Sequence, residues 1–229
     1  MRLVFFGDSV TEGCFELFDN HCGGFDTVKD IPSGYSALTE KRLKEIFPDT
    51  EIEVINAGIA GNSSGDGLAR LDADVIEKKP DIAVVCFGLN DVGQRKPDNY
   101  RNNLSEIFKR LKNAGSEVIF MTPNMVNTYV HPMNLTILQK TAMSCAECQN
   151  DGTMDLFMDT ARECAEQNGA EVCDVYAIWK KMKEYGIDTT ELLCNYINHP
   201  TRQMHRLFAD ALEPCLTSKI KKMLSEKAD

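Results

Sequence analysis

The sequence predicts an α/β protein: a three-layer α/β/α sandwich of flavodoxin-like type, with a five-stranded parallel sheet between two layers of helices. Two observations carry this expectation. Five short runs rich in apolar and β-branched residues, 2–6, 51–55, 82–87, 117–122 and 171–175, are spread along the chain. Segments of helical periodicity lie between them. Strands alternating with helices imply βαβ units and a parallel sheet covered on both faces, joined by right-handed crossovers.

Each element has its own local signal. The helix expected over 33–47 keeps Leu43, Ile46 and Phe47 at i, i+3 and i+4, with Ser33 as its N-cap. The one over 66–79 is stopped by Pro80, and the one over 98–113 ends before Gly115. A fourth, over 151–168, ends before Gly169. The last begins near Thr201 and aligns Phe208, Leu212, Leu216 and Ile220 on one face. Pro214 lacks an N–H and is expected to kink or split it. No repeat, low-complexity tract or Pro/Gly/Ser linker interrupts the pattern, so 1–229 reads as a single domain. Two segments fit the alternation poorly. Residues 14–31 read as an irregular insertion rich in Gly and Asp, and 124–150 as a long connection carrying His131, Cys145 and Cys148. Both follow strands, so both are expected as pocket walls at the sheet's carboxyl edge, with Phe15, Phe18, Phe25, Met125, Tyr129 and Met133 around a small acyl slot.

Charge and composition narrow the partners. A net charge of −10, spread along the chain, argues against a nucleic-acid footprint. No apolar run approaches the ~20 residues of a membrane helix, and the apolar start at 1–7 is too short for a secretory signal. The nine cysteines are odd in number and irregularly spaced, and Cys86 and Cys173 sit inside apolar runs as small hydrophobes. A cytoplasmic, reducing location is therefore expected, with no membrane partner.

Ligands of open parallel sheets bind outside the carboxyl ends of the strands, so the residues following each strand carry the chemistry. The first strand delivers Gly7-Asp8-Ser9, the second Asn56-Ala57-Gly58-Ile59-Ala60-Gly61, the third Gly88-Leu89-Asn90-Asp91 and the fourth Thr122-Pro123-Asn124. Ser9 is the candidate nucleophile, and a serine needs a base within hydrogen-bond reach. Of the four histidines, His199 lies in a loop just before the last helix, held extended by Pro200. It is the candidate base; His21, His131 and His205 lie elsewhere. If the first three strands are neighbours, the Ser9 N–H, the Gly61 N–H and the Asn90 side-chain amide converge as an oxyanion hole, each donor contributing ~2.7–4 kcal/mol. Taken singly, each pattern has an ordinary structural explanation as a turn, a packing glycine or a core histidine. Four of them in order at one edge point to acyl transfer.

These blocks resemble the SGNH (GDSL-type) hydrolase family. Gly7-Asp8-Ser9-Val10-Thr11-Glu12-Gly13 resembles its first block, with Ser9 as nucleophile. The stretch ending at Gly61 resembles the second, with that glycine as an oxyanion donor. Gly88-Leu89-Asn90-Asp91 resembles the third, with Asn90 as the oxyanion amide, and His199-Pro200 the last, with His199 as base. Gly34-Tyr35, Pro80-Asp81 and Asp174-Val175-Tyr176-Ala177 agree as well, so the resemblance spans nearly the whole chain. It implies hydrolysis of a small-molecule carboxylic ester without cofactor or metal.

One departure stands out. The family pattern is Asp-x-x-His, whereas Tyr196 occupies the place of the aspartate. The run Asn195-Tyr196-Ile197-Asn198-His199-Pro200 resembles a subset that includes carbohydrate-ester deacetylases. Three readings stay open. Asn195, Asn198 or a backbone carbonyl accepts from His199 Nδ1–H; an acid arrives from elsewhere, with Asp188 and Glu191 nearest in sequence; or the site works as a Ser–His dyad. Asp8 is expected to face away from the partner of Ser9. Activity is expected to fall as pH drops through the His199 pKa, near ~6.5 for an unperturbed imidazole. The expected substrate is a short-chain ester, acetyl above all, of a carbohydrate or small metabolite. Lysophospholipids and thioesters are the alternative acyl substrates. Three rivals remain. A phosphate-binding flavodoxin-like module lacks GxxxxGK[ST]. A metal site at Cys145-x-x-Cys148 with His131 or Cys164 lacks a second ligand pair. An inactive interaction module leaves the four blocks unexplained.

Overall fold

The computed structural model describes residues 1–226. Strands β1 (Arg2–Gly7), β4 (Glu53–Gly58), β5 (Ile82–Cys86), β6 (Glu117–Met121) and β7 (Glu171–Cys173) form one parallel sheet in the order β4-β1-β5-β6-β7. Counting sheet strands alone, this is the flavodoxin-like order 2-1-3-4-5, whose switch point lies between β1 and β5. The registers Gly7↔Gly58 and Gly7↔Cys86 bring the ends of β4, β1 and β5 level, so the loops that follow them emerge side by side.

The central strands are apolar throughout because both faces are covered. Every residue of β5 is buried, as are Leu3, Val4, Phe5 and Phe6 of β1. Burial of such side chains contributes roughly 1.5–3 kcal/mol each. Helices α2 (Tyr35–Ile46) and α8 (Arg202–Glu226) pack together on one face. Helices α3 (Ser64–Asp74), α4 (Pro97–Asn113) and α6 (Thr153–Gln167) cover the other. No helix of the described residues is long and apolar enough to cross a membrane.

The two segments that break the alternation are more regular than expected. Within 14–31, β2 (Cys14–Asp19) and β3 (Phe25–Lys29) pair as an antiparallel hairpin, with a register shift between Cys14 and Leu17. Its tip is turned by Asn20, whose side chain accepts from the Cys22 and Gly24 amides. Within 124–150, residues Gln139–Asn150 form helix α5, so Cys145 and Cys148 sit on a helix and not in an open connection.

Boundaries also move, for local reasons. β4 begins at Glu53 and runs to Gly58. Ser33 ends a 3-10 turn and does not cap α2, whose cap position is Gly34. α3 starts earlier than expected because Ser63 and Asp66 form a capping box, and it ends at Asp74. The last sheet strand stops at Cys173 because the Asp174 carboxylate accepts the Ala177 N–H and opens a further helix, α7 (Val175–Glu184). α8 is not split: it is continuous through Pro214. The proline costs one N–H of the ladder, while Leu212, Leu216 and Ile220, all fully buried, hold both halves to the core.

Candidate active site

Ser9 opens α1 (Ser9–Glu12), a single turn directly after β1. The Asp8 side chain caps that turn by accepting the Val10 N–H at 3.0 Å. The turn is pressed onto the sheet edge so closely that a Cβ on Gly58 would lie 2.2 Å from the Glu12 nitrogen; only glycine fits there. Two further bonds fix α1: Asn56 Nδ2 donates to the Thr11 carbonyl at 2.7 Å, and the Thr11 and Tyr35 hydroxyls lie 2.8 Å apart. These contacts give Asn56 and Tyr35 a common task in holding the serine turn.

His199 reaches the same place from the other end of the chain. Its Nε2 lies 3.0 Å from Ser9 Oγ, and both residues are buried. Its Nδ1 lies 2.7 Å from the Phe15 carbonyl oxygen on β2. That carbonyl only accepts, so the Nδ1 nitrogen carries the proton and Nε2 presents its lone pair to the serine hydroxyl. Both ring nitrogens are thereby accounted for. Asn195 does not meet the ring. Its Oδ1 instead accepts the main-chain N–H groups of Ile197, Asn198 and His199 at 2.9–3.0 Å, shaping the loop that carries the imidazole. Asn198 Oδ1 accepts from Asn195 Nδ2. Asp188 and Glu191 both accept from the Tyr129 hydroxyl, and Glu191 also meets His131 at 3.1 Å, so neither reaches His199. Tyr196, in left-handed conformation (φ 55°), stacks on His131 with ring centroids 3.9 Å apart.

The loop after β6 clamps the histidine loop through three asparagines. Asn124 Nδ2 donates to the Asn198 carbonyl, the Asn127 N–H to the Ile197 carbonyl, and Asn134 Nδ2 to the Asn195 carbonyl. From the other side, Arg202 pairs with Glu16 and Asp30 of the hairpin segment and lies 4.3 Å above the Phe15 ring. Arg202, Glu16, Asn127 and Asn134 are supports that the sequence did not reveal. Glu16, Asn127 and Asn134 are marked only by polarity in segments of irregular appearance, and Arg202 only as a charge at the start of a helix.

On the opposite side of Ser9, Gly61 (φ 79°) turns the chain after β4, and Asn90 follows β5. Asn90 Nδ2 donates to the Asn62 carbonyl at 2.9 Å, which leaves its second N–H free to point elsewhere. Among the described residues, neither the Ser9 nor the Gly61 N–H donates within the chain. Asp91 takes the Ser64 N–H and hydroxyl, tying this loop to the start of α3. The Glu12 carboxylate bonds the Ala60 N–H at 2.8 Å and pairs with Lys29, linking the serine turn, the Gly61 turn and the hairpin. Ser9, Gly61, Asn90 and His199 line one cavity of about 350 Å³. Leu17, Phe25 and Thr27 of the hairpin, Leu138 and Thr141 of the later segment, and Ala60, Ile197 and Asn198 complete its walls. Of the apolar residues expected at an acyl slot, Phe25 lines it, whereas Phe15 and Met125 are fully buried in the body of the protein.

The electrostatics suit an uncharged imidazole. Burial pushes the His199 pKa below its ordinary value, only partly offset by the Phe15 carbonyl and the Glu16 charge. His205 is fully buried against Phe15 and Tyr35, and burial lowers its pKa to about 3. Its Nδ1 accepts the Tyr35 N–H, so it is a neutral packing residue. Asp8 is the reverse case: burial, reinforced by the Asp91 charge, raises its pKa to about 7 despite the bond from Val10. Burial also keeps Cys145 protonated, with a pKa of about 11.

The model of the GDSL-like lipase/acylhydrolase family matches residues 5–207. The chain belongs to this family. As a GDSL-like hydrolase it is 31% identical to an acetylxylan esterase of Geobacillus stearothermophilus over 173 residues, 69% of this chain and 75% of that protein. An arylesterase of Vibrio mimicus is 33% identical over 99 residues, 40% of this chain and 49% of the arylesterase. Among solved structures, an alpha/beta hydrolase enzyme from the metagenome of Lake Arreo, Spain, aligns with a TM-score of 0.67 and 26% identity, covering 92% of each chain. The GDSL-like chain is accordingly a carboxylic ester hydrolase.

Proposed function

We propose that residues 1–229 act as one hydrolase domain in which Ser9 is the nucleophile and His199 the general base. The carrying observation is the 3.0 Å contact between Ser9 Oγ and His199 Nε2 inside a cavity that Gly61 and Asn90 also line. His199 takes the hydroxyl proton as Ser9 attacks the ester carbonyl, and the Ser9 N–H, Gly61 N–H and Asn90 amide receive the oxyanion. His199 then protonates the departing alcohol. In the second half the same imidazole activates water, which releases the acid and regenerates Ser9. The Phe15 carbonyl takes the orienting part that an aspartate has elsewhere. It fixes the tautomer without bringing a charge, and the barrier falls by what the oriented neutral base supplies.

The acyl group in this reading is short, acetyl above all, and the alcohol a carbohydrate or small metabolite. The name of the Geobacillus stearothermophilus relative and the modest cavity support that choice. Nine free cysteines support a reducing compartment such as the cytoplasm. The test is hydrolysis of 4-nitrophenyl esters of increasing chain length by the wild type and by Ser9→Ala. The variant should keep its circular dichroism spectrum and lose ester hydrolysis, with acetate the best substrate of the wild type. An unchanged rate in the folded variant overturns the assignment of Ser9.

A further inference from the structure

A second cavity, of about 410 Å³, adjoins the one that holds Ser9. Asn90, Thr141 and Asn198 line both, so the two chambers meet at the proposed reaction centre. Their chemistry differs. Around Ser9 the walls are largely apolar, with Leu17, Phe25, Leu138 and Ile197. The second chamber has an apolar floor too, with Leu89, Val92 and Cys148, but one rim carries the exposed side chains of Lys140, Thr141 and Ser144, which the helical repeat of α5 brings to one face.

The charges in this region are unevenly placed. The chain carries a net −10, yet among the described residues no carboxylate lines either chamber, and Lys140 is the one charged side chain on their walls. The carboxylates at the far end of α5, Glu147 and Asp151, are both taken by Arg95. An ammonium with hydroxyls beside it and no internal counter-ion attracts an anion from solution, and a cleft focuses that field. A single ammonium is a compact point charge that balances the one negative charge of a carboxylate.

We propose that Lys140 is a specificity residue that recognises a carboxylate carried by the alcohol portion of the ester, seated in the second chamber while the acyl group occupies the first. This rests on the reading of Ser9 as nucleophile. The experiment compares phenyl acetate with 4-acetoxybenzoate, the same ester bearing a carboxylate on the leaving group, for the wild type and for Lys140→Gln, Lys140→Glu and Lys140→Arg. The glutamine variant should raise KM for 4-acetoxybenzoate about three- to five-fold, the worth of a partly screened ion pair, and leave phenyl acetate unchanged. Glutamate should raise it further, arginine should restore it, and the difference should shrink as salt is added. Each ester is compared only with itself, so their unequal intrinsic reactivities cancel. Equal effects on both esters, or none on either, overturn the proposal for Lys140. Failure of the Ser9 reading shows separately, as hydrolysis surviving in Ser9→Ala.

Discussion

His199 is held by two contacts that act in different ways. Contact with Phe15 O selects the tautomer, and burial lowers the pKa below its ordinary 6.5. In the proposed mechanism His199 is the base and works only in its neutral form, so activity should be lost as pH falls through that pKa. Since the pKa is depressed, the acid limb of kcat/KM should lie below pH 6.5, and the rate should be level from there to neutrality. A pH–rate profile on an acetate ester checks this; a midpoint above 6.5 contradicts it. At this scale the sequence was highly legible. That Ser9, Gly61, Asn90 and His199 meet around one cavity could be anticipated because a serine, a glycine and an asparagine that follow neighbouring strands, and a histidine held extended before a proline, are marked by residue identity. Asn195 was singled out for the right loop but for a different atom: it bonds the main chain of His199 and not its ring. The Phe15 carbonyl was legible only as an unnamed possibility, since every residue has a carbonyl and nothing in the side chain marks the one that is used.

The hairpin β2–β3 is the element on which the orientation of His199 depends. Arg202 fastens it, through Glu16 and Asp30, to the first turn of α8, three residues beyond the histidine. Removing that clasp in Arg202→Ala frees the strand that carries the Phe15 carbonyl. The expected outcome is a fall in kcat of roughly ten- to a hundred-fold, short of the ~10⁴ that a wrong tautomer costs a serine protease. KM should barely move, and the low-field Nδ1 proton resonance of His199 should broaden or vanish. A merely structural arginine would lower thermal stability without touching that resonance. The hairpin escaped the sequence because its signals conflict. Asn20, Gly23 and Gly24 at the tip read as loop, with Asp19 and Asp26 beside it, and the strands mix exposed Phe18 and Phe25 with charges. Helix α5 was missed because it has no side-chain cap, its buried face carries small Ala142 and Ala146 and polar Gln149, and apolar Met143 is exposed. The parallel core was read well, because a strand buried on both faces is a continuous apolar run.

Over the molecule as a whole, two buried groups pull stability in opposite directions with pH. His205 stays neutral down to about 3, while the unfolded chain takes up a proton near 6.5. Stability therefore falls as pH drops between those values. Asp8 holds its proton to about 7, against 3.8 when unfolded, so stability falls as pH rises through that window. The two windows overlap from 3.8 to 6.5, where the opposite slopes cancel, so their joint contribution should be level there and fall off on either side. Asp8→Asn keeps an oxygen for the Val10 N–H and removes the titration. It should be more stable than the wild type at pH 8, by roughly 2–4 kcal/mol at most, and about equal at pH 4. Thermal melts at the two pH values check this; equal melting temperatures at pH 8 contradict it.

The carbonyl that faces His199 belongs to the peptide link, not to the phenyl ring beside it. Under the proposed mechanism an alanine scan would register a serine and a histidine as indispensable and pass over the third partner in silence. Position 15 is free to drift among apolar residues so long as the strand keeps its path. Editing the main chain, by replacing the amide between Phe15 and Glu16 with an ester whose carbonyl oxygen is a poorer acceptor, would weaken that partner with every side chain left in place, at the cost of the Glu16 N–H as well.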